Sequence, residues 1–317
     1  MGLSEDASKL LVSGWRKGTQ SSYNSCWRHW DRWCCERDLD PFQAPVESIA
    51  NFIAYLFKSG YEYSTLNLYR SAISAFHKNV SSEKIGKHQL IKQVMAGVFN
   101  ERAPLPRYTK TWDVDIVLKF ISSMGSNKNL SLKELTLKLT MLLALTSASR
   151  SSDIQKLDMN YMNVRTNEII FTMVKLTKTR KTGSQPYQIT FSSFPENDNL
   201  NVVQCILDYI DKTVSLRPNE CNQLIISFIK PHKPVKSCTI AHWLKRMLES
   251  AGIDTDIFKP HSTRGASTSK ANKFGVSIKQ IMNIANWRSR GTFEKFYHKP
   301  LETEIEAGSF QSTVLKL

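Results

Sequence analysis

The sequence predicts a mainly α-helical chain in two units, the second carrying a small β-sheet or hairpin. Three observations predict it. Apolar and aromatic residues recur at steps of three and four through the first hundred residues, the spacing of helices that share a core. The stretch "NERAPLPRYTKTW" then breaks that periodicity with Pro104 and Pro106. Farther on, "NEIIFTMVKLTKTRKTGSQPYQITF" has two β-rich ends around a Lys/Arg/Thr/Gly middle, the pattern of a hairpin with a basic tip.

The elements follow in order. Tyr23, Trp27, Trp30 and Cys34 form one helical face, which Pro41 ends. Pro45 opens a second helix, with Ile49, Ile53, Leu56 and Phe57 inward and Gly60 as a left-handed cap. Ser64 is the expected cap of a third, carrying Leu66, Tyr69, Ile73 and Phe76. A fourth carries Ile91, Val94, Met95 and Val98, completing a four-helix module. In the second unit Asp113 caps a helix with Val114, Val117, Leu118 and Ile121 inward. A more apolar helix from Leu132 to Leu143 runs into Arg150. After the hairpin come a helix near 200–215, a short strand at "QLIISF", and helices near 238–250, 262–273, 277–286 and 292–298.

A chain of 317 residues allows two domains. Its 41% hydrophobic and 22% charged content is that of a globular protein. Lys+Arg number 43 against 28 Asp+Glu, a formal charge of +15, which points to a polyanionic partner and first to nucleic acid. A membrane is the competitor, but no apolar run approaches the roughly 20 residues that span one. The opening "MGLSEDASKLL" lacks a signal-peptide pattern, and Asp6 stands where N-myristoylation wants Ser or Thr. The six cysteines have no zinc-ligand spacing, so reduced thiols of an intracellular protein are expected.

Several residues stand out, and each has an ordinary explanation when taken alone. Arg150, in "LTSASRSSDIQKLD", lies at the edge of a core. A guanidinium there needs either an ion pair, with Asp153 or Asp158, or a phosphate to grip bidentately. His261 and Arg264, in "KPHSTRGAS", are three apart and share a helical face, as many solvated pairs do. Lys175, Lys178, Arg180 and Lys181 make the hairpin tip, either a solvated turn or the source of a proton donor. Trp287, in "NIANWRSRGTF", offers an indole N–H. Tyr297, in "FEKFYHKP", reads by itself as a core tyrosine. Its phenol is a nucleophile only where cations stabilise the developing charge. Arg28, Arg32 and Arg70 on the first unit, Arg102, Arg107 and Lys110 in the proline-containing stretch, and Lys175, Arg180 and Lys181 at the hairpin tip are candidate phosphate contacts.

The order of these residues resembles the tyrosine recombinase/integrase family across residues 5–300. That family runs arginine, hairpin lysine, His-x-x-Arg, His or Trp, then a nucleophilic tyrosine. The matching series is Arg150, Lys178, His261, Arg264, Trp287 and Tyr297, with Asp153 at the family's acidic position. "KLTKTRKTG" aligns best with Lys178 as the hairpin lysine; Lys175 and Lys181 are the alternatives. Trp287 stands where many members have His, and ten residues before Tyr297, one more than in many members. "SSYNSCWRHWDRWCCERDLDP", "STLNLYRSAISAFHK" and "LLALTSASRSSDIQKLD" look most like recombinases of DIRS-type retrotransposons, with Crypton-type transposons as neighbours.

The resemblance implies a helical core-binding, DNA-binding domain over residues 1–101 and a basic linker over 102–112. It implies an α+β catalytic domain over 113–300 and a tail over 301–317 that docks on a neighbouring subunit. The two domains are expected to close on duplex DNA as a C-shaped clamp. Tyr297 would attack a backbone phosphate to give a 3′-phosphotyrosyl bond and a free 5′-hydroxyl, with no metal, ATP or other cofactor. Dimers on one site, tetramers on paired sites, no membrane association and a nuclear location are the further expectations. Two other activities suit the same fold. One is a domesticated, non-catalytic DNA-binding protein, expected to have lost members of the set. The other is a type IB topoisomerase, which relaxes supercoils without pairing sites.

Overall fold

Residues 4–78, 83–106, 108–180, 182–297 and 299 are described by the computed structural model. They fold as two units, Met1–Pro106 and Arg107–Leu317. In the first unit, α1 (Glu5–Ser13) starts where the Ser4 hydroxyl accepts the Ala7 N–H, and none of its residues is buried. Helix α2 (Lys17–Cys35) buries Cys26, Trp30, Trp33 and Cys34. Tyr23 and Trp27, expected on the same face, are only partly buried against that core. The Trp30 indole N–H donates to Pro41 O at 3.0 Å, so this large side chain is buried with its one polar atom satisfied.

Pro45 immediately precedes α3 (Val46–Lys58), which buries Ile49, Phe52, Ile53 and Leu56. Gly60, at φ 87°, turns the chain toward α4 (Tyr63–Phe76). Ser64 does not cap α4. The cap position falls two residues earlier, at Glu62, which makes no side-chain cap bond. His88 caps α5 (Gln89–Glu101), its ring accepting the Leu90 N–H. The four expected helices share one core, built mostly of aromatic and branched side chains worth about 1.5–3 kcal/mol each when fully buried.

The stretch expected to be a stiff basic linker makes tertiary contacts at both ends. The Arg102 guanidinium donates to Tyr61 O at 2.7 Å and lies 4.5 Å over the Phe57 ring. Trp112, 1% exposed, donates its indole N–H to Ser262 Oγ at 2.9 Å.

In the second unit Asp113 caps α6 (Val114–Ser123) by accepting the Asp115 N–H. Helix α7 (Leu132–Ser147) opens with a full capping box between Ser131 and Glu134, worth about 1 kcal/mol. It is buried on nearly every side, and ends where Ala148 takes a left-handed conformation at φ 46°. The short α8 (Ser151–Ile154) follows. The sheet has three antiparallel strands, β1 (Met162–Val164), β2 (Glu168–Thr172) and β3 (Gln188–Ser192), in that order. The hairpin was expected and β1 was not. Ile169 pairs with Phe191, and Phe171 with Ile189, so the apolar residues of both strands face the core together.

Helices α9 (Val202–Thr213) and α10 (Ser237–Ser250) pack on α7. No strand forms at "QLIISF", though Leu224, Ile225 and Ile226 are fully buried. Side chains satisfy much of its backbone instead. Ile226 N–H donates to the Tyr209 hydroxyl at 3.1 Å, and Arg217 donates to Gln223 O and Leu224 O at 2.7 and 2.8 Å. Then come α11 (Ser262–Lys273), α12 (Ile278–Ile284) and α13 (Arg290–Phe296). A second, smaller core holds this last part: Ala148, Ile281, Ala285, Trp287 and Phe293, with Tyr297 packed against it.

Candidate active site

The left-handed turn at Ala148 places Arg150 directly before α8, at the rim of the larger core. Its side chain is 15% exposed, and Nη1 lies 3.6 Å from Oδ2 of the buried Asp153. That separation is too long for a hydrogen bond, so Asp153 offsets the charge without occupying the donors. Asp158, the other partner open to it, is engaged at 2.8 Å by Lys175.

Arg264 lies in the first turn of α11 and is 1% exposed. Nη2 donates to Ala285 O at 2.7 Å. Nε and Nη1 have no hydrogen-bond partner, and no ion pair forms among the described residues. Burial, then the charge of Arg150, push its pKa down to about 10. A buried guanidinium beside a second arginine, with two open donors, is a poor structural element and a good anion receptor. A cavity of about 230 Å³ opens here, lined by Ser149, Arg150, Lys259, His261, Thr263 and Arg264.

His261 precedes α11, and its Nε2 lies 2.7 Å from the Tyr297 hydroxyl. Desolvation by the surrounding protein, then the charges of Arg264, Arg150 and Lys178, pull its pKa down to about 4. The ring is still reached by solvent, but three cations around one imidazole keep it neutral at ordinary pH. Trp287, 8% exposed, stacks between the other members: its ring is 4.7 Å from Arg264 Cζ and 4.4 Å from the Tyr297 ring centre. The indole Nε1 has no partner.

Of the hairpin cations, Lys175 is held by Asp158. Arg180 donates to Val174 O and Ser184 O, folding the tip on itself. Lys178 is exposed, makes no ion pair among the described residues, and lies close enough to affect His261. Lys181 and Arg107 lie outside the described residues. Thus Arg150, Lys178, His261, Arg264, Trp287 and Tyr297 surround one place, with Asp153 behind Arg150.

Among the candidate phosphate contacts, Arg28, Arg32 and Lys110 are exposed. Arg70 lines a basic hollow with Lys84 and Lys87. Arg102 donates to Tyr61 O, Arg180 donates to Val174 O and Ser184 O, and Lys175 pairs with Asp158.

Three residues were missed. Ser269 Oγ donates to Tyr297 O at 3.0 Å and accepts the Lys299 N–H at 3.2 Å, fixing the backbone of the tyrosine. Asn286 donates to Thr179 Oγ1 at 2.9 Å. The Tyr187 phenol, which burial and then the charge of Asp153 push up to about 12, lies near Arg150. Nothing in their local sequence marks them, because each acts through a partner distant in the chain.

A family model described as the phage integrase family matches residues 117–303. No match is found among curated proteins. Solved structures share the fold at low identity. A lambda integrase (75–356) dimer bound to a COC′ core site is 18% identical, with a TM-score of 0.56 over 95% of this chain and 96% of that one. XerH site-specific recombinase bound to palindromic difH substrate is 11% identical, with a TM-score of 0.56 over 80% and 68%. The Tn1549 transposon integrase with circular intermediate DNA is 13% identical, with a TM-score of 0.53 over 86% and 84%. The matched span takes in Arg150, the hairpin, His261, Arg264, Trp287 and Tyr297, and the chain belongs to the phage integrase family, the tyrosine recombinases that cleave and rejoin DNA strands.

Proposed function

We propose that this chain is the site-specific recombinase, or integrase, of a mobile element, working through a 3′-phosphotyrosyl intermediate on Tyr297. The observation that supports it most is the 2.7 Å contact between the Tyr297 hydroxyl and His261, beside a buried Arg264 with two open donors. The Tyr297 oxygen attacks the scissile phosphorus. Its proton passes to the neutral His261 ring. Arg150, Arg264 and the Trp287 N–H bind the non-bridging oxygens, where charge builds in the transition state. The bond to the 5′ oxygen breaks, and Lys178 supplies its proton. A second 5′-hydroxyl reverses these steps and completes strand exchange.

Duplex DNA is the substrate, with exposed cations such as Arg28, Arg32 and Lys110 on its phosphates. Assembly as dimers on a site and tetramers in a synapse is supported by fold neighbours solved as a dimer on a core site and a tetramer on a Holliday junction. The DIRS-type segments around Trp27, Leu66 and Arg150 favour a retrotransposon source, and a DNA substrate favours the nucleus. The test is covalent capture on nicked suicide duplexes drawn from a random-sequence pool. Wild type forms an adduct that resists denaturation, and Tyr297→Phe forms none. An adduct that persists in Tyr297→Phe, or no wild-type adduct over a range of salts, overturns the proposal.

A further inference from the structure

The turn that ends α12 touches three parts of the site at once. Ala285 O accepts from Arg264. Trp287, two residues on, packs against Arg264 and Tyr297. Between them Asn286 takes a left-handed conformation, φ 50°. Its side-chain amide reaches across to the hairpin tip and donates to Thr179 Oγ1 at 2.9 Å. Thr179 is the residue after Lys178. The residue next to Lys178 is therefore tied to Asn286.

We propose that Asn286 is a positioning residue that locks the Lys178 segment to the turn bearing Trp287, holding the proton donor in register with the phosphate clamp. The inference rests on the recombinase reading and on Lys178 as proton donor. The residue type fits both duties. Asparagine is among the few residues with a Cβ that accept the left-handed region readily, and its amide supplies the donor. An exposed lysine on a long connection has many conformations. Misplacing a reacting group by about 1 Å can cost about 10²-fold in rate.

Asn286→Gly keeps the backbone conformation available and deletes only the amide. Thr179→Val deletes the acceptor from the other side, and decides the matter should the glycine variant fail to fold. Both are assayed as full-length protein on duplexes that wild type captures covalently from a random nicked pool. Each duplex is made twice, with oxygen or with sulfur at the 5′-bridging position of the scissile phosphate. A thiolate leaves without a proton, so the sulfur substrate needs no general acid.

The expectation is a loss of about 10- to 100-fold on oxygen for both variants, shrinking to within about threefold on sulfur. Lys178→Ala shows the same rescue, and Arg264→Ala, which acts on the phosphate oxygens, shows none. Variants that are equally slow on both substrates, or slow on neither, overturn the positioning role while leaving the recombinase reading intact. A wild-type chain that cleaves neither substrate overturns both.

Discussion

Arg264→Met asks whether the buried guanidinium is there for the fold or for an anion. Arg264 is 1% exposed, makes a single hydrogen bond, to Ala285 O, and sits beside Arg150 with no ion pair of its own among the described residues. Burial and Arg150 lower its pKa from 12.5 to about 10. At 1.36 kcal/mol per pH unit that is about 3 kcal/mol against the charged form. Methionine keeps the length and the apolar stem. It gives up the bond to Ala285 O, about 1 kcal/mol, and the contact with the Trp287 face, about 1 kcal/mol. The unbound variant is then about 1 kcal/mol more stable than wild type, a rise in Tm of about 2–4 °C for a unit of this size. Calorimetry at low salt, with and without added sulfate, measures it. Sulfate raises the wild-type Tm by binding the folded site and closes the gap, whereas the variant responds less. The variant forms no covalent adduct. A Tm several degrees below wild type, with an equal response to sulfate, would refute the reasoning, since the guanidinium would then be a structural strut.

Two further outcomes follow from the site. The His261 ring takes a proton near pH 4 in the fold and near 6.5 when unfolded, so the unfolded state binds more protons between these values. Stability contributed by the neutral ring is complete above pH 6.5 and declines as pH falls toward 4. Denaturant titrations at pH 7 and pH 5 on wild type and His261→Gln isolate this slope, and an identical difference at both pH values would contradict it. In the hairpin, Lys178→Ala is expected to slow cleavage by about 10²- to 10⁴-fold, the usual worth of a general acid. Lys175→Ala stays within a few-fold, because Lys175 is engaged by Asp158 at 2.8 Å. The reverse order in single-turnover cleavage would move the proton donor to Lys175.

The helices were legible because burial of one face repeats every three to four residues, and that repeat survives in the sequence. Trp30 and Cys34 in α2, and Ile49, Ile53 and Leu56 in α3, are buried where the spacing puts them. What repeats cannot encode is the partner of a polar group. The apolar run at "QLIISF" reads as a strand, yet Tyr209 and Arg217 take its backbone groups. Arg102 has the sequence surroundings of a solvated linker cation, and its guanidinium is pinned over Phe57. The same limit applies to the site. The order of Arg150, His261, Arg264, Trp287 and Tyr297 was readable. The bond from Asn286 to Thr179, across 107 positions, was not.

The open donors also bear on whether the chain cuts DNA or only holds it. Arg264 Nε and Nη1 and Trp287 Nε1 are buried and without hydrogen bonds. An unsatisfied buried donor costs about 1–3 kcal/mol. Gripping duplex DNA requires no such cost, because exposed lysines and arginines bind phosphates well from the surface. Buried, fixed donors have their advantage where charge develops on particular atoms during a reaction, since they need no reorganisation when it appears. Here they cluster around a single tyrosine whose hydroxyl already meets a neutral histidine. Open donors of this kind also occur at Trp33, Arg102 and Arg217, but only those of Arg264 and Trp287 lie beside a tyrosine hydroxyl paired with a histidine, the arrangement that strand cleavage would use.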